Sequence, residues 1–256
     1  MGTSTKQDRS VKTTETVFTV IEYLHGNDGA RLRDIAEDLD QAKSTLHRHL
    51  ATLIQREYVV KEGDEYHVGA RFIDLGQHAR SRRPAYEMAK QVVEEIADET
   101  GERAQFIIEE HGWAVYIHRT RGSNAVRTDP GIGKRIPMHL TSAGKAILAH
   151  YPRERVEEII DHRGLDSATP NSISEREALF KELEDIRERG FSFNNQENIE
   201  GLRAVGVPIL SPEDEVIGAL SVAGPTRRLK GDRYEVELPD YLLGIANELE
   251  LNIAYG

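Results

Sequence analysis

Residues 31–54 have the sequence RLRDIAEDLDQAKSTLHRHLATLI. Two sets of apolar residues lie at the spacing of a helical face, one on each side of a polar break at Asp40-Gln41: Leu32, Ile35, Ala36 and Leu39, then Leu46, Leu50, Leu53 and Ile54. Two short helices joined by a tight turn are typical of a helix-turn-helix, in which the second helix enters the major groove. The stretch therefore predicts a module that binds duplex DNA.

The outward face of the second predicted helix is small, polar and basic. At about 100° per residue, the residues that face away from the apolar stripe are Ser44, Arg48, Ala51, Thr52 and Gln55. The segment from Gln41 to Arg56 contains no Asp or Glu, although the chain has 44 of them. Because phosphate repels carboxylates, their exclusion favours a surface that meets DNA. A small helical core with a neutral outer face is the alternative interpretation.

The flanking segments extend this module. Apolar residues at helical spacing predict a preceding helix that ends in the polar turn at 26–29: Val17, Val20, Ile21 and Leu24. Strand-like runs at 58–61 and 65–68 flank Glu62-Gly63-Asp64, where glycine readily accepts a positive φ. This hairpin predicts a wing, and an ordinary surface loop is the alternative. Basic side chains on or beside the hairpin are available to phosphates: Lys61, His67 and Arg71.

Charge is distributed unevenly along the chain. The net charge is −11, but residues 1–83 hold 13 basic and 13 acidic residues, which leaves 20 against 31 in residues 84–256. Only 9 of the 33 basic residues are Lys. This balance suits a halophilic host such as an archaeon, or equally an ordinary acidic cytosolic protein. With no cysteine, no apolar run near 20 residues and no apolar signal region, we expect a cytoplasmic protein without disulfides or a membrane span.

The chain is expected to divide at a linker helix. We predict a winged helix-turn-helix domain over residues 12–70, a linker helix over 71–84 and a second domain over 85–256. Phe72, Ile73 and Leu75 support the linker helix, and Pro84 closes it. Helices and strands alternate irregularly beyond it: a helix over 85–100, strands over 103–110, 113–119, 205–210 and 216–222, and a terminal helix.

Short turns in the second domain join strands that are neighbours in sequence. His111-Gly112 and the stretch 211–214 connect antiparallel pairs, so we expect an α+β fold with a sheet flanked by helices. Ser174-Glu175-Arg176-Glu177 predicts a capping box that opens a helix running to Arg189.

Several separated motifs, in one order, resemble the IclR family of transcription regulators over residues 12 to 254. The motifs are LRDIA at 32–36, AKSTLHRHLATL at 42–53, YHVG at 66–69, IPMHLTSAGKAILA at 136–149, GLRAVGVPI at 201–209 and GALSVAGP at 218–225. The resemblance implies a winged helix-turn-helix joined to a GAF-like effector domain, and a homodimer or homotetramer on a double-stranded operator. A linker helix with no role in dimerisation is the alternative. Asp40-Gln41 departs from the Gly-Leu common in the family, although Asp tolerates left-handed geometry.

Carried over residue by residue, the resemblance implies that Lys43, Ser44, Thr45 and Arg48 contact DNA. Arg48 can donate two hydrogen bonds to guanine, whereas Lys43 suits a phosphate. The helical face adds Thr52, the wing region adds Lys61 and Arg71, and His47 lies at the flank. The positions similar to the family's effector pocket are Met138, Ser142, Ala143, Asn194, Asn195, Glu197, Ala204 and Ser221.

The stretch Thr141-Ser142-Ala143-Gly144-Lys145 opens a predicted helix with small residues. Free amides at a helix start favour a carboxylate, and plain capping by Thr141 or Ser142 explains the same residues. We hypothesise a small-molecule effector, an organic or sugar acid, held by the Ser142 and Ala143 amides and by three side chains: Asn195, Glu197 and Ser221.

Two other functions compete with a ligand-responsive regulator. An enzyme could use Ser142 with Lys145 one turn later as nucleophile and base. An architectural DNA-binding protein would need no effector, but the size of the second domain argues against it. The histidines lack ligand spacing, and Gly131-Ile132-Gly133-Lys134 lacks the rest of a phosphate-loop motif, so we expect a turn there, no metal and no cofactor.

Overall fold

The computed structural model describes residues 10–125 and 131–255. The chain folds as two compact units, Met1–Ala79 and Arg80–Gly256. The first unit contains α1 (Lys12–Gly26), β1 (Ala30–Arg31), α2 (Leu32–Asp38), α3 (Lys43–Gln55), β2 (Val59–Glu62) and β3 (Glu65–Val68). Helix α4 (Arg71–Ser81) follows, and it ends before the predicted limit of the linker helix.

The first unit is a helix-turn-helix with a three-stranded antiparallel sheet in the order β1-β3-β2. Its core joins the apolar faces of the three helices to the sheet: Val20, Leu24, Ile35, Leu46, Leu50, Leu53, Val59 and Tyr66. Strand β1 was not predicted, because two residues are too few to show alternation. The expectation that Ile54 belongs to the buried stripe was wrong: it is 38% exposed, since it lies about 100° around the helix from Leu53.

Both turns of this unit use the left-handed backbone conformation. Asp40, between α2 and α3, has φ 48°, as the tolerance of Asp for this geometry led us to expect. Gly63 has φ 59° between β2 and β3, which makes the predicted hairpin. The sequence therefore predicted both the break between the two helices and the wing.

The second unit is an α+β domain, as predicted. Its elements are α5 (Pro84–Thr100), β4 (Arg103–Glu110), β5 (Trp113–Arg121), β6 (Arg135–Pro137), α6 (Ser142–Leu148), α7 (Arg153–Arg163), α8 (Arg176–Arg189), β7 (Ser192–Asn195), β8 (Leu202–Leu210), β9 (Val216–Pro225) and α9 (Leu238–Tyr255). Six antiparallel strands form one sheet in the order β6-β5-β4-β9-β8-β7. Helices α5 and α9 cover one face, and α6, α7 and α8 cover the other.

Three details of the second unit differ from the sequence-based expectations. Strands β6 and β7 were not predicted, because each has at most four residues and no clear apolar alternation. Strand β8 begins three residues before the predicted position. The predicted capping box is wrong: α8 has Glu175 as its N-cap without a side-chain cap. Instead, Arg176 and Glu177 pair with Asp161 and Arg153.

Candidate nucleic-acid interface and ligand cleft

Helix α3 separates a buried stripe from an exposed polar face. The helix begins after Ala42, whose backbone is extended, and it buries Leu46, Leu50 and Leu53 over 13 residues. All predicted DNA contacts on this helix are exposed: Lys43, Ser44, Thr45, His47, Arg48 and Thr52. The hydroxyl of Thr52 donates to the Arg48 carbonyl at 3.0 Å. The face therefore presents two fixed cations, hydroxyls and an imidazole, and no carboxylate from its own helix.

The wing residues have different surroundings. Lys61 on β2 is exposed, with its ammonium 5.4 Å from the centre of the Tyr66 ring. The guanidinium of Arg71 donates to the Arg56 carbonyl at 3.0 Å and to Glu57 at 3.3 Å, and it stacks over Tyr58. Arg71 therefore holds the start of α4 against the end of α3, a role that the sequence did not suggest.

The second unit contains a cleft between the sheet and the start of α6. It encloses about 530 Å³ including its open mouth. The lining residues come from β4, β5, β7, β8, β9, the segment before and at the start of α6, and the loop before β8: Arg103, Gln105, Ile107, Tyr116, Leu140, Thr141, Ser142, Asn194, Asn198, Ile199, Leu202, Arg203, Ala204, Ser221 and Ala223. None of these described residues is Asp or Glu.

The start of α6 is fixed by a cap. The Thr141 hydroxyl accepts a hydrogen bond from the Gly144 amide at 2.9 Å, so capping, one of the two interpretations of this stretch, is confirmed. A Cβ at Gly144 would lie 2.2 Å from the Met138 carbonyl oxygen, so the turn before α6 approaches the helix as closely as only glycine allows. Ser142, at the first position of the helix, is brought to the edge of the cleft.

The floor of the cleft is polar at the beginning of β4. The Gln105 amide donates to the Ser221 hydroxyl at 3.2 Å, across the paired strands β4 and β9. Arg103 is only 4% exposed. Burial, followed by the neighbouring cations Arg119 and Arg121, lowers the pKa of Arg103 to about 10, so it stays charged at neutral pH.

Comparisons with known proteins match both units of the chain. The family model "IclR helix-turn-helix domain" matches residues 14–63, and "Bacterial transcriptional regulator IclR C-terminal" matches residues 77–250. The chain belongs to the IclR family. A relative from Halobacterium salinarum, the probable HTH-type transcriptional regulator ArcR, is 29% identical over 253 residues, which cover 96% of this chain and 95% of that protein.

Solved IclR structures have the same fold. The crystal structure of Thermotoga maritima IclR has a TM-score of 0.80 and 26% identity, and the match covers 95% of this chain and 99% of that chain. An IclR homologue from Microbacterium hydrocarbonoxydans, complexed with 4-hydroxybenzoate, has a TM-score of 0.81 and 22% identity over 94% of this chain and 98% of that chain. This chain is thus a DNA-binding transcription regulator of the IclR family, and its matched relatives are named as regulators rather than enzymes.

The structure brings only part of the predicted IclR effector set to the cleft. Ser142, Asn194, Ala204 and Ser221 line it. Met138 and Ala143 instead belong to the hydrophobic core beneath α6. Strand alternation explains the different positions of the two asparagines: Asn194 pairs with Ala204 on the cleft side, whereas Asn195 pairs with Arg203 and accepts its Nε–H at 2.8 Å.

Glu197 lies behind the cleft, in a buried ion pair. Its carboxylate is 2.6 Å from the Lys145 ammonium, which is 1% exposed. The same carboxylate accepts a hydrogen bond from the backbone N–H of Asn195. Glu182 lies 3.8 Å from the same ammonium. Lys145 therefore contacts carboxylates, and this arrangement does not make it the partner of a Ser142 nucleophile. The alternatives of an enzyme and of an architectural protein are not favoured.

The sequence analysis missed Arg103, Gln105 and Tyr116 as cleft residues. A signal for Arg103 and Gln105 was present, because they share a strand face opposite the apolar residues Ala104 and Phe106. Among the described residues, no group of three His, Cys, Asp or Glu side chains is placed to hold a metal. Within the same part of the chain, no helix is long and apolar enough to cross a bilayer.

Proposed function

We propose that this regulator reads its operator through the exposed face of α3. The observation that carries the proposal is the contrast within one helix: three buried leucines fix it to the core while Lys43, Ser44 and Arg48 remain exposed. Arg48 is expected to contact a base, and Lys43, Thr45 and Lys61 to contact phosphates or nearby groups. Thr52 and Arg71 are less available to DNA, since both already donate to backbone carbonyls. His47 lies at the flank of the exposed face.

Footprinting on the DNA around its own gene tests this assignment. We expect wild type to protect a palindromic site and Arg48→Ala to lose specific protection, because one bidentate base contact contributes about 1–3 kcal/mol of discrimination. Arg227→Ala, which removes an equally exposed arginine from the second unit, is the matched control. A footprint unchanged in Arg48→Ala, with both variants folded, would refute this role for α3.

A palindromic footprint would also test the oligomeric state. We propose a homodimer, which matches a two-fold operator, and a tetramer is the alternative. Exposed apolar side chains at the N-cap of α1, on α1 and on α4 support an interface in the first unit: Val11, Phe18, Ile73 and Leu75 are 62%, 58%, 73% and 46% exposed. Since the target is genomic DNA, we also propose that the protein acts in the cytoplasm.

We propose further that a small organic or sugar acid binds in the cleft and changes operator affinity. The absence of Asp and Glu from its described lining, together with the donors Gln105, Asn194 and Ser221, supports an acidic ligand. The structural neighbour with 4-hydroxybenzoate shows the fold alone at its level of identity. The effector can shift operator affinity only by its differential affinity for two conformations of the protein.

A substitution that fills the cleft tests the effector proposal. Ala223→Leu adds volume at a partly exposed lining residue, and Ala178→Leu makes the same change on the exposed face of α8. Small acids should protect the wild type and the Ala178→Leu variant from thermal unfolding, and they should not protect Ala223→Leu. Equal protection of all three proteins would place the ligand elsewhere.

A further inference from the structure

One end of the cleft contains a buried cation. Along β4, Arg103, Gln105 and Ile107 face the cleft, while Ala104 and Phe106 face the core beneath α5. Arg103 is therefore a lining residue that is nevertheless 4% exposed. A guanidinium removed from bulk water interacts with an anion more strongly than a surface arginine does, because screening by solvent is weaker there.

The neighbouring strand adds positive charge at the same end. In the antiparallel ladder, Arg121 pairs with Arg103 and Arg119 pairs with Gln105. Directly opposed residues have their side chains on the same face of a sheet, so three arginines share this corner. Like charges at this spacing repel one another, and an anion bound beside Arg103 reduces that repulsion.

The second arginine of the lining lies on the other face of its strand. Arg203 pairs with Gly224, one position away from the pair of Ala204 and Ala223 that lines the cleft. Its guanidinium instead contacts Asn195, the Leu229 carbonyl and the ring of Tyr234, a residue of the core beneath α5 and α9. Strand alternation thus places the Arg103 side chain on the cleft face of β4 and the Arg203 side chain on the opposite face of β8.

The other end of the cleft is uncharged. Ile107 is apolar and pairs with Tyr116 on β5, and burial raises the pKa of Tyr116, so its phenol is neutral at physiological pH. Ile107 lies four residues along β4 from Arg103, or about 13 Å at roughly 3.3 Å per residue. A small acid can therefore place its charged group at one end and its uncharged body at the other.

Building on the proposed acid effector, we propose that Arg103 on β4 binds the acid group of the effector and determines specificity for a carboxylate. The ligand is thus a small carboxylate whose uncharged part points toward Ile107 and Tyr116. Ser142, at the start of α6, contacts the ligand but does not anchor its charge. The acid group of the ligand therefore lies at Arg103, and not at the Ser142 and Ala143 amides, where the small residues of the α6 start predicted it.

The test compares acids with their uncharged isosteres in the full-length protein. Butyrate, lactate, gluconate and benzoate are each titrated beside the corresponding primary amide, and binding is measured by calorimetry. Wild type should bind at least one acid more tightly than its amide. In Arg103→Met, the ratio of the affinity for the acid to the affinity for the amide should fall about 10- to 100-fold, the range for a hydrogen bond to a charged group. A folding defect would weaken acid and amide together, so the ratio reports charge recognition.

Three further variants serve as controls. Arg103→Lys should recover part of the preference, because it keeps the charge without the planar fork. Arg121→Met removes an exposed neighbouring charge that does not line the cleft, and Ser142→Ala removes the α6 hydroxyl; both should keep the acid preference within about threefold, since neither removes the main charge-assisted contact. A preference that survives in Arg103→Met, or that is lost in Ser142→Ala alone, would overturn the assignment to Arg103. Binding of none of the acids to wild type would instead count against the acid effector, and this inference would fail with it.

Discussion

Helix α3 and the ligand cleft differ in how far apart in sequence their residues lie. Every proposed DNA contact on α3 falls within 13 consecutive residues, and the period of one helix separates them from the buried leucines. The cleft is lined by residues from Arg103 to Ala223, drawn from five strands, the start of one helix and a loop. The first site depends on local periodicity, and the second depends on which strands pair.

This difference determines which substitutions damage each site. In α3, a buried residue and an exposed residue next to it have separable roles, one in stability and one in recognition. In the second unit, side chains distant in sequence hold the cleft walls together, so a change behind the cleft affects its shape. Substitutions in the two sites should therefore differ in which property they change and by how much.

The largest effect is expected at the buried pair of Lys145 and Glu197. The pair joins α6 to the segment after β7, two elements 52 residues apart. Glu197→Gln leaves the Lys145 ammonium, 1% exposed, without its nearest carboxylate. Breaking a buried pair by removing one partner costs about 3–5 kcal/mol. We expect that loss in the free energy of unfolding of the second unit, followed by the fluorescence of Trp113, the single tryptophan of the chain.

Two variants decide whether burial is the cause. The double variant Lys145→Met with Glu197→Gln should be less destabilised than Glu197→Gln alone, because it leaves no buried ammonium that has lost its nearest carboxylate. Glu177→Gln breaks the exposed pair with Arg153, where the Glu177 side chain is 87% exposed, and should cost less than about 1 kcal/mol. Equal losses in Glu197→Gln and Glu177→Gln would contradict the prediction.

The second prediction separates the two faces of α3. Leu50 is fully buried, and Leu50→Ala should reduce the stability of the first unit by about 2–5 kcal/mol. Hydrogen exchange in peptides of residues 43–55 should accelerate, while the Trp113 unfolding transition of the second unit stays unchanged. Ser44→Ala, on the exposed face, should leave both measurements unchanged and reduce only operator binding. A Trp113 transition shifted by Leu50→Ala would show that the two units do not unfold separately.

Sequence periodicity was sufficient for the local features. It predicted α3, the hairpin at Gly63 and the break at Asp40-Gln41, because helix period and turn chemistry act over a few residues, whereas the left-handed geometry of Asp40 was expected from the family resemblance. It did not predict β7, and alternation along β4 alone could not show that the face of Arg103 lines a cleft, because both depend on pairing between distant strands. Resemblance supplied the position of Ser142, but it did not distinguish Asn194 from Asn195, which alternation places on opposite faces.

The third prediction concerns the pH dependence of the stability of the second unit, in which His118 is buried. His118 on β5 is 3% exposed, and its Nδ1 lies 2.9 Å from the Arg80 guanidinium, so the neutral ring accepts that hydrogen bond. Burial, then Arg80, lowers the pKa of His118. Stability from a lowered histidine pKa is fully present above the unfolded value of about 6.5 and is lost as pH falls through the folded value.

The Trp113 unfolding free energy should therefore decrease from pH 7 toward pH 5, with His118 contributing at most about 1.4 kcal/mol per pH unit. His118→Asn keeps an acceptor for Arg80 but does not titrate, so its slope should be shallower. His162→Asn, on the exposed end of α7, should keep the wild-type slope. An identical slope in His118→Asn and wild type would assign the pH dependence to other groups.

The smallest effect is expected at the turn before α3, where this chain departs from the common family pattern. Asp40 has φ 48°, a conformation that glycine adopts without strain and that β-branched residues avoid. Asp40→Gly should change the stability of the first unit by less than about 1 kcal/mol, and Asp40→Val should lower it by about 1–2 kcal/mol. Thermal unfolding followed by far-UV circular dichroism, with hydrogen exchange to assign the change to this unit, measures both. The turn only fixes the direction in which the chain enters α3, so the operator affinity of the folded Asp40→Gly variant should match that of wild type. A weaker operator complex would mean that Asp40 itself takes part in recognition.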